Sequence, residues 1–199
     1  MTELGLRNDV YRRPLATALE RLGVGEGWRC VDVGAGGGYV SVALAEMVGR
    51  TGRVYAVDND PRARDEVAKT AAAHTQVLAI TQAGEDLLLP EPVAVLSRMA
   101  KAVRVGGWVV AQEPMTSAGR VGGTPLSMPD APHPDLGAVL PALVGRADLD
   151  LVDAWAEAPA GAGPGPVTDY LASLTDVDPG DDPVVLPPLV TVLARRQDR

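Results

Sequence analysis

The fold is decided by the stretch Val31-Asp32-Val33-Gly34-Ala35-Gly36-Gly37-Gly38, together with Val54-Tyr55-Ala56-Val57-Asp58 further along the chain. The pattern predicts a buried strand, a glycine-rich turn, a helix and a second buried strand that ends in an acidic residue. Glycines lack a Cβ and let a backbone approach a ligand closely, and a carboxylate after the second strand can accept both hydroxyls of a ribose. The stretch therefore predicts a nucleotide-recognition site. A tight strand-to-helix turn without a ligand stays open as the alternative.

The spacing of the glycines separates two kinds of nucleotide ligand. A dinucleotide fingerprint requires a glycine at position 39, where this chain has Tyr39. The order from Asp32 to Gly38 is Asp-x-Gly-x-Gly-x-Gly, which resembles motif I of the class I S-adenosylmethionine-dependent methyltransferases. The resemblance implies S-adenosylmethionine as cofactor, with residues 34–38 below its methionine part and ribose, Asp32 near its amino group and Asp58 on its ribose hydroxyls. The cofactor-binding residues predicted in this way are Asp32, Gly34, Ala35, Gly36, Gly38, Asp58, Asn59 and Glu85, and no metal site is predicted.

Three further segments resemble the same family in the family's order: residues 53–61, 102–114 and 187–196. The resemblance implies an α/β, Rossmann-like class I methyltransferase fold, with a mostly parallel sheet and a C-terminal antiparallel hairpin. Helices are predicted at 39–48, from 61 to about 74 and at 136–144. The third strand is predicted at 76–81 and the next clear helix near 93. Because a crossover between neighbouring parallel strands needs ~10–12 residues, the fourth strand is predicted to be short or missing, made at best of residues 86–89.

The length of 199 residues predicts one domain with its own core. Its segments are expected to be an N-terminal helix (1–23), a cofactor-binding core (28–114), a lid or substrate segment (115–148) and the C-terminal hairpin (149–199). Residues 115–135 are rich in Gly, Pro and Ser and are expected to be lid-like or disordered.

Composition narrows the classes of partner. A net charge of -8 argues against a nucleic-acid backbone as partner. No apolar stretch approaches the ~20 residues that span a bilayer, and the first residues lack the order of a secretory signal, so we expect a cytoplasmic protein without a membrane partner. The abundance of Ala, Gly, Pro, Val and Arg is typical of a GC-rich bacterial genome. A small-molecule substrate is the expected partner, and a homodimer can cover the sheet edge that a missing strand would expose.

Two residues are candidates for catalysis. Glu113 ends a strand at the carboxyl edge, where open α/β sheets hold ligands. His133 can act as a general base near neutral pH, although a solvated loop histidine is the ordinary alternative. The buried Asp32 requires a partner, which we expect to be the cofactor ammonium or nearby backbone N–H groups.

The function predicted from the resemblance is methyl transfer to a hydroxyl, amine or acidic carbon of a small bacterial metabolite. Two alternative functions follow from the short or missing fourth strand in the centre of the chain. One is a cyclase or isomerase that keeps the fold without methyl transfer, and the other is a non-catalytic subunit that binds another protein.

Overall fold

The structure is a computed structural model that describes residues 3–81, 91–126 and 133–198. The chain forms two compact units. The described part of one unit is residues 19–81, and that of the other is residues 3–18, 91–126 and 133–198. Among the described residues, every helix is too short or too polar to cross a lipid bilayer.

Helices and strands alternate in the first half of the chain, and short strands become frequent in the second. The described elements are α1 (Glu3–Leu22), β1 (Arg29–Val33), α2 (Tyr39–Val48), β2 (Arg53–Asp58), α3 (Pro61–Thr70), β3 (Val77–Thr81), α4 (Pro92–Ala102), β4 (Trp108–Pro114), β5 (Arg120–Val121), β6 (Thr124–Pro125), α5 (Leu136–Val144), β7 (Leu149–Glu157), β8 (Ala160–Gly161), α6 (Pro166–Leu174), β9 (Val184–Val185) and β10 (Leu189–Arg196).

The unit of residues 19–81 is a parallel three-stranded sheet in the order β1-β2-β3. The register places Val31 beside Tyr55 and Tyr55 beside Leu78. One face carries the small core of Ala35, Ala56 and Val67. The predicted order of strand, glycine turn, helix and strand is therefore confirmed, and α2 has the predicted bounds. The burial predicted for the first strand is wrong, because Asp32 is the one buried residue of β1.

The opposite face of this sheet carries exposed apolar side chains. The exposed fraction of Val31 is 46% and that of Leu78 is 51%. Val33 and Ile80 follow them on the same face at 36% and 37%. Since parallel sheets normally have both faces covered, this face is unusual. The predicted short fourth strand falls on residues that lie outside the described ranges.

The second unit contains an antiparallel sheet in the order β4-β10-β7, with β10 antiparallel to both neighbours. Strand β10 is buried from Leu189 to Ala194 because its alternating side chains face covered surfaces on both sides. The C-terminal antiparallel pair is thus confirmed. The main core of this unit consists of Leu96, Ala100, Val109, Leu140, Val144, Ala147, Leu149, Val192 and Ala194.

Residues 115–126 differ from the expectation of disorder. They form a 3₁₀ turn at Thr116–Ala118 and the strands β5 and β6. Strand β5 pairs with β9, so residues distant in sequence supply its backbone hydrogen bonds. The local sequence does not indicate this pairing. Leu126 is buried in a cluster with Tyr170, Leu171, Val184 and Leu186. The disordered alternative is therefore wrong for residues 115–126, and the lid-like alternative stays a prediction, as does the division into four segments.

Candidate functional site

The glycine turn connects β1 to α2 and is fixed to the end of β2. The backbone N–H groups of Gly34 and Ala35 donate to the carbonyl of Val57 at 2.8 and 3.2 Å. Gly34 has φ +75°, a left-handed conformation that favours glycine, and a Cβ built there meets no atom of the described residues within 4 Å. The backbone at this point is therefore open, which is what close approach of a ligand requires.

Asp58 stands at the end of β2, and two backbone N–H groups orient its carboxylate. Its Oδ2 accepts from Gly36 N at 2.9 Å and its Oδ1 accepts from Asp60 N at 2.9 Å. Each oxygen of a carboxylate can accept about two hydrogen bonds, so each retains one free acceptor position. The pair of free positions suits the two adjacent hydroxyls of a ribose.

The helix cap that could explain Asp58 structurally is supplied by another residue. The side chain of Asp60 accepts from Arg62 N at 2.9 Å and is the N-cap of α3. Asn59 lies between the two aspartates and is half-buried. Asp58 is therefore not the cap of α3.

Asp32 is buried, with 8% of its surface exposed, and bonds to a residue that the sequence interpretation did not name. The Ser41 hydroxyl donates to Asp32 Oδ2 at 2.6 Å. Burial raises the pKa of Asp32, hydrogen bonds from the side chain and backbone of Ser41 lower it, and the charge of Asp58 raises it. Ser41 thus supplies the partner that was expected from backbone N–H groups or from the cofactor. The signal for it was a lone serine in an otherwise apolar stretch of helix.

These features fit S-adenosylmethionine. The open glycine backbone can lie against the ligand, Asp58 can accept the ribose hydroxyls, and the buried carboxylate of Asp32 can pair with an ammonium group. The predicted residues Asp32, Gly34, Ala35, Gly36, Gly38 and Asp58 all lie on β1, the turn and β2. Glu85 lies outside the described residues.

Glu113 belongs to the second unit, near the carboxyl end of β4. Burial raises the pKa of its carboxyl group above the ordinary value, and electrostatic interactions with Arg7 and then with His133 partly oppose this rise. Among the described residues, no hydrogen bond reaches the Glu113 carboxylate. A half-buried carboxylate to which no described residue donates a hydrogen bond is a candidate for ligand contact.

His133 is exposed and is held near the end of β4 by its neighbours in sequence. The backbone N–H of Thr116 donates to the Pro134 carbonyl at 2.9 Å, and Ser117 N donates to Asp135 Oδ1 at 2.9 Å. The structure therefore brings the two predicted catalytic residues, Glu113 and His133, within electrostatic reach of one another.

Arg7 is the third member of this charged group, and the sequence interpretation missed it. It lies on α1 one turn before Tyr11, whose hydroxyl donates to the Pro187 carbonyl at 2.8 Å. The ring of Tyr11 packs edge-on against Tyr170 with ring centroids 6.0 Å apart. The helix is thereby attached to this unit, and the spacing of Arg7 and Tyr11 on one helix face was the available signal.

Sequence comparison supports the cofactor-binding interpretation. Residues 12–85 match the family described as Protein-L-isoaspartate(D-aspartate) O-methyltransferase (PCMT). A segment of 57 residues is 44% identical to a probable cobalt-precorrin-6B C(15)-methyltransferase (decarboxylating) from Pyrobaculum aerophilum. That segment is 29% of this chain and 29% of the relative's length.

Solved structures resemble the chain over nearly its whole length. A SAM-dependent methyltransferase from Aquifex aeolicus has a TM-score of 0.62 and 16% identity, and 98% of each chain is covered. The [4+2]-cyclase SpnF has a TM-score of 0.61 and 15% identity over 94% of this chain and 82% of its own. Identities this low establish the fold alone, and they confirm the fold predicted from the sequence.

Proposed function

We propose, on the premise that this chain has the fold of the class I S-adenosylmethionine-dependent methyltransferases, that it transfers a methyl group from S-adenosylmethionine to a small metabolite. The observation that carries the proposal is the anchored carboxylate of Asp58 beside the open glycine turn. A turn without a ligand would need no acidic residue with two free acceptor positions.

S-Adenosylmethionine, when bound, supplies a methyl group on a sulfonium that needs no further activation. The residues of the chain have to bind and orient the reactants, and good positioning can contribute ~7–11 kcal/mol. Asp58 holds the ribose hydroxyls, Asp32 pairs with the ammonium, and the turn from Gly34 to Gly38 supports the methionine part. Asn59 and Glu85 are proposed as further contacts.

Glu113 and His133 are proposed as contacts of the methyl acceptor. The Glu113 carboxylate can accept a hydrogen bond or a proton from the attacking hydroxyl or amine, because no described residue donates to it. His133 can receive the proton at its imidazole ring. Methyl transfer from a sulfonium does not require a strong base, so we expect these residues to assist the reaction without being indispensable to it.

The acceptor is proposed to be a small molecule. The family match at residues 12–85 covers mainly the glycine-turn unit, so its protein-directed name does not define the acceptor. The curated relative is named for a cobalt-precorrin, and this makes a precorrin macrocycle the first acceptor to test. A bacterial, cytoplasmic role in biosynthesis without nucleic-acid or membrane partners agrees with the composition and acidic charge.

A homodimer is part of the proposal. Its support is the exposed apolar face of the β1-β2-β3 sheet, where Val31 and Leu78 are about half exposed. Light scattering of the full chain tests it: twice the chain mass is expected, and a clean monomer would contradict it.

A cyclase or isomerase on the same fold is the second candidate, favoured by the likeness to a [4+2]-cyclase. The two candidates differ in their products.

S-Adenosylmethionine with a labelled methyl group is incubated with the chain, a precorrin and a panel of hydroxy and amino metabolites. Release of adenosylhomocysteine with label in the acceptor supports methyl transfer, with a lower rate for Glu113→Gln at unchanged cofactor affinity. Conversion of an acceptor without adenosylhomocysteine supports the cyclase, and cofactor binding without any conversion supports the non-catalytic subunit.

A further inference from the structure

Ser41 and Asp32 form a buried polar pair beneath the glycine turn. Ser41 is fully buried in α2 among Leu44, Ala45 and Val48, and it is the third residue of the helix. Its hydroxyl lies 2.6 Å from Asp32 Oδ2, within the range of hydrogen bonds from a hydroxyl to an ionised carboxylate. A buried serine in an apolar helix face requires a reason, and the reason is this contact.

We propose that Ser41 is a positioning residue that orients the Asp32 carboxylate for the ammonium group at the amino-acid end of the cofactor. The proposal rests on the proposed function, because it concerns the same ligand. It assigns to Ser41 a specific task, namely selection of the amino-acid end over the adenosine end.

The electrostatic surroundings of Asp32 explain why a positioning residue is needed. Burial and the negative charge of Asp58 both raise the pKa of Asp32 and so favour its neutral form. Ser41 opposes them with hydrogen bonds from its side chain and backbone, and the N-terminal end of α2 adds a favourable dipole. Without the hydroxyl, a larger share of Asp32 is neutral and its attraction for an ammonium group falls.

The Asp32 carboxylate also keeps acceptor positions for the ligand. The Ser41 hydroxyl occupies one acceptor position of Asp32 Oδ2 and the Ser41 backbone N–H occupies a second position of the carboxylate, which offers about four in total. An ammonium that binds the remaining positions places a positive charge near both Asp32 and Asp58, which reduces their mutual repulsion. The pair therefore favours a ligand with a cationic amino-acid end over the same nucleoside without one.

A purely structural explanation makes a different prediction. If Asp32 and Ser41 only stabilise the start of α2, removing the hydroxyl lowers the free energy of unfolding and weakens all ligands of the turn alike. The two explanations are separated by a pair of ligands that differ only in the amino-acid end.

The experiment is calorimetric titration of the full chain with adenosylhomocysteine and with 5′-methylthioadenosine, which keeps adenosine and the thioether and lacks the amino-acid group. We expect Ser41→Ala to weaken the binding of adenosylhomocysteine about tenfold and to change the affinity for 5′-methylthioadenosine by no more than about twofold. Asp32→Asn should show the same selective loss, and the double variant should lose little more, since the two residues act as one unit. Thr191→Val removes another fully buried hydroxyl, in the second unit, and should leave the affinity for both ligands unchanged.

The outcomes separate the inference from the proposed function. If the wild-type chain binds neither ligand, the proposed function fails and the inference fails with it. If the wild-type chain binds both and Ser41→Ala weakens both equally, or neither, the inference alone is overturned. If Ser41→Ala does not fold by circular dichroism, Ser41→Cys keeps a weak donor of similar size, and a smaller loss confined to adenosylhomocysteine is then required.

Discussion

Replacing Asp58 with asparagine tests the ribose contact at the residue that anchors the glycine turn. The carboxylate accepts from two backbone N–H groups, those of Gly36 and Asp60. An asparagine amide has one oxygen and one NH₂ group. One of the two backbone N–H groups would therefore face the NH₂ group and lose its acceptor. Hydrogen bonds to charged groups contribute about 1.5–3 kcal/mol each, and water can reach this half-buried site. We expect Asp58→Asn to lower the free energy of unfolding by about 1–2 kcal/mol.

The effect on ligand binding should be larger than the effect on stability. Two ribose hydroxyls would donate to a neutral amide in place of an ionised carboxylate, and a loss of about 2–3 kcal/mol corresponds to about 30- to 150-fold weaker binding. Unlike Ser41→Ala, Asp58→Asn should weaken adenosylhomocysteine and 5′-methylthioadenosine alike, because both contain the ribose. Urea unfolding and calorimetric titration measure the two effects.

Asp60→Asn is the matched control two residues away. Asparagine caps a helix as well as aspartate does, so this exposed N-cap tolerates the same substitution. Stability and ligand affinity should both be close to those of the wild type. Unchanged affinity in Asp58→Asn, or an equal loss in Asp60→Asn, would refute the assignment of Asp58 to the ribose.

Three further substitutions test packing and charge. Gly38→Ala should cost about 2 kcal/mol by urea unfolding, because φ is +80° and the new Cβ would lie 3.1 Å from the Cα of Val67; an unchanged midpoint would contradict the helix packing. Tyr11→Phe removes the hydrogen bond to the Pro187 carbonyl and should cost about 1–2 kcal/mol, whereas wild-type stability would show that the contact does not form. Burial raises the pKa of Glu113, so its ionisation destabilises the folded chain as pH rises above the ordinary pKa of 4.5. Glu113→Gln should therefore be more stable than the wild type at pH 7, and this difference in stability should disappear below pH 4.5. A constant difference across pH 4–7 would contradict the burial of this carboxylate.

The sequence predicts best the helices whose ends are set by their own residues and immediate neighbours. The helix at Tyr39–Val48 begins after a glycine turn and ends at Gly49, and the helix at Leu136–Val144 has an apolar composition and a following glycine, so both have the predicted bounds. The end of α3 was expected near His74, yet the helix ends at Thr70. Residues 71–73 are all alanine and carry no stop signal. The helix ends because the chain has to turn there to enter β3.

Long-range contacts account for what the sequence did not show. Strand β5 exists because Arg120 and Val121 pair with Val185 and Val184, more than sixty residues away. The sequence signals for Ser41 and Arg7 did not identify their partners, because the contact of Ser41 with Asp32 and the interaction of Arg7 with Glu113 exist only in the folded chain. The motif residues of the glycine turn were predictable because one stretch of chain contains both the turn and its ligand-facing groups.

The most direct test of the account is thermal unfolding of the full chain with and without adenosylhomocysteine. A ligand that binds the folded state at one hundred times its dissociation constant stabilises it by about 2.7 kcal/mol, which raises the melting temperature of a chain of this size by about 5–10 °C. We expect this rise, with a smaller one in Asp58→Asn. An unchanged melting temperature at millimolar adenosylhomocysteine would contradict it.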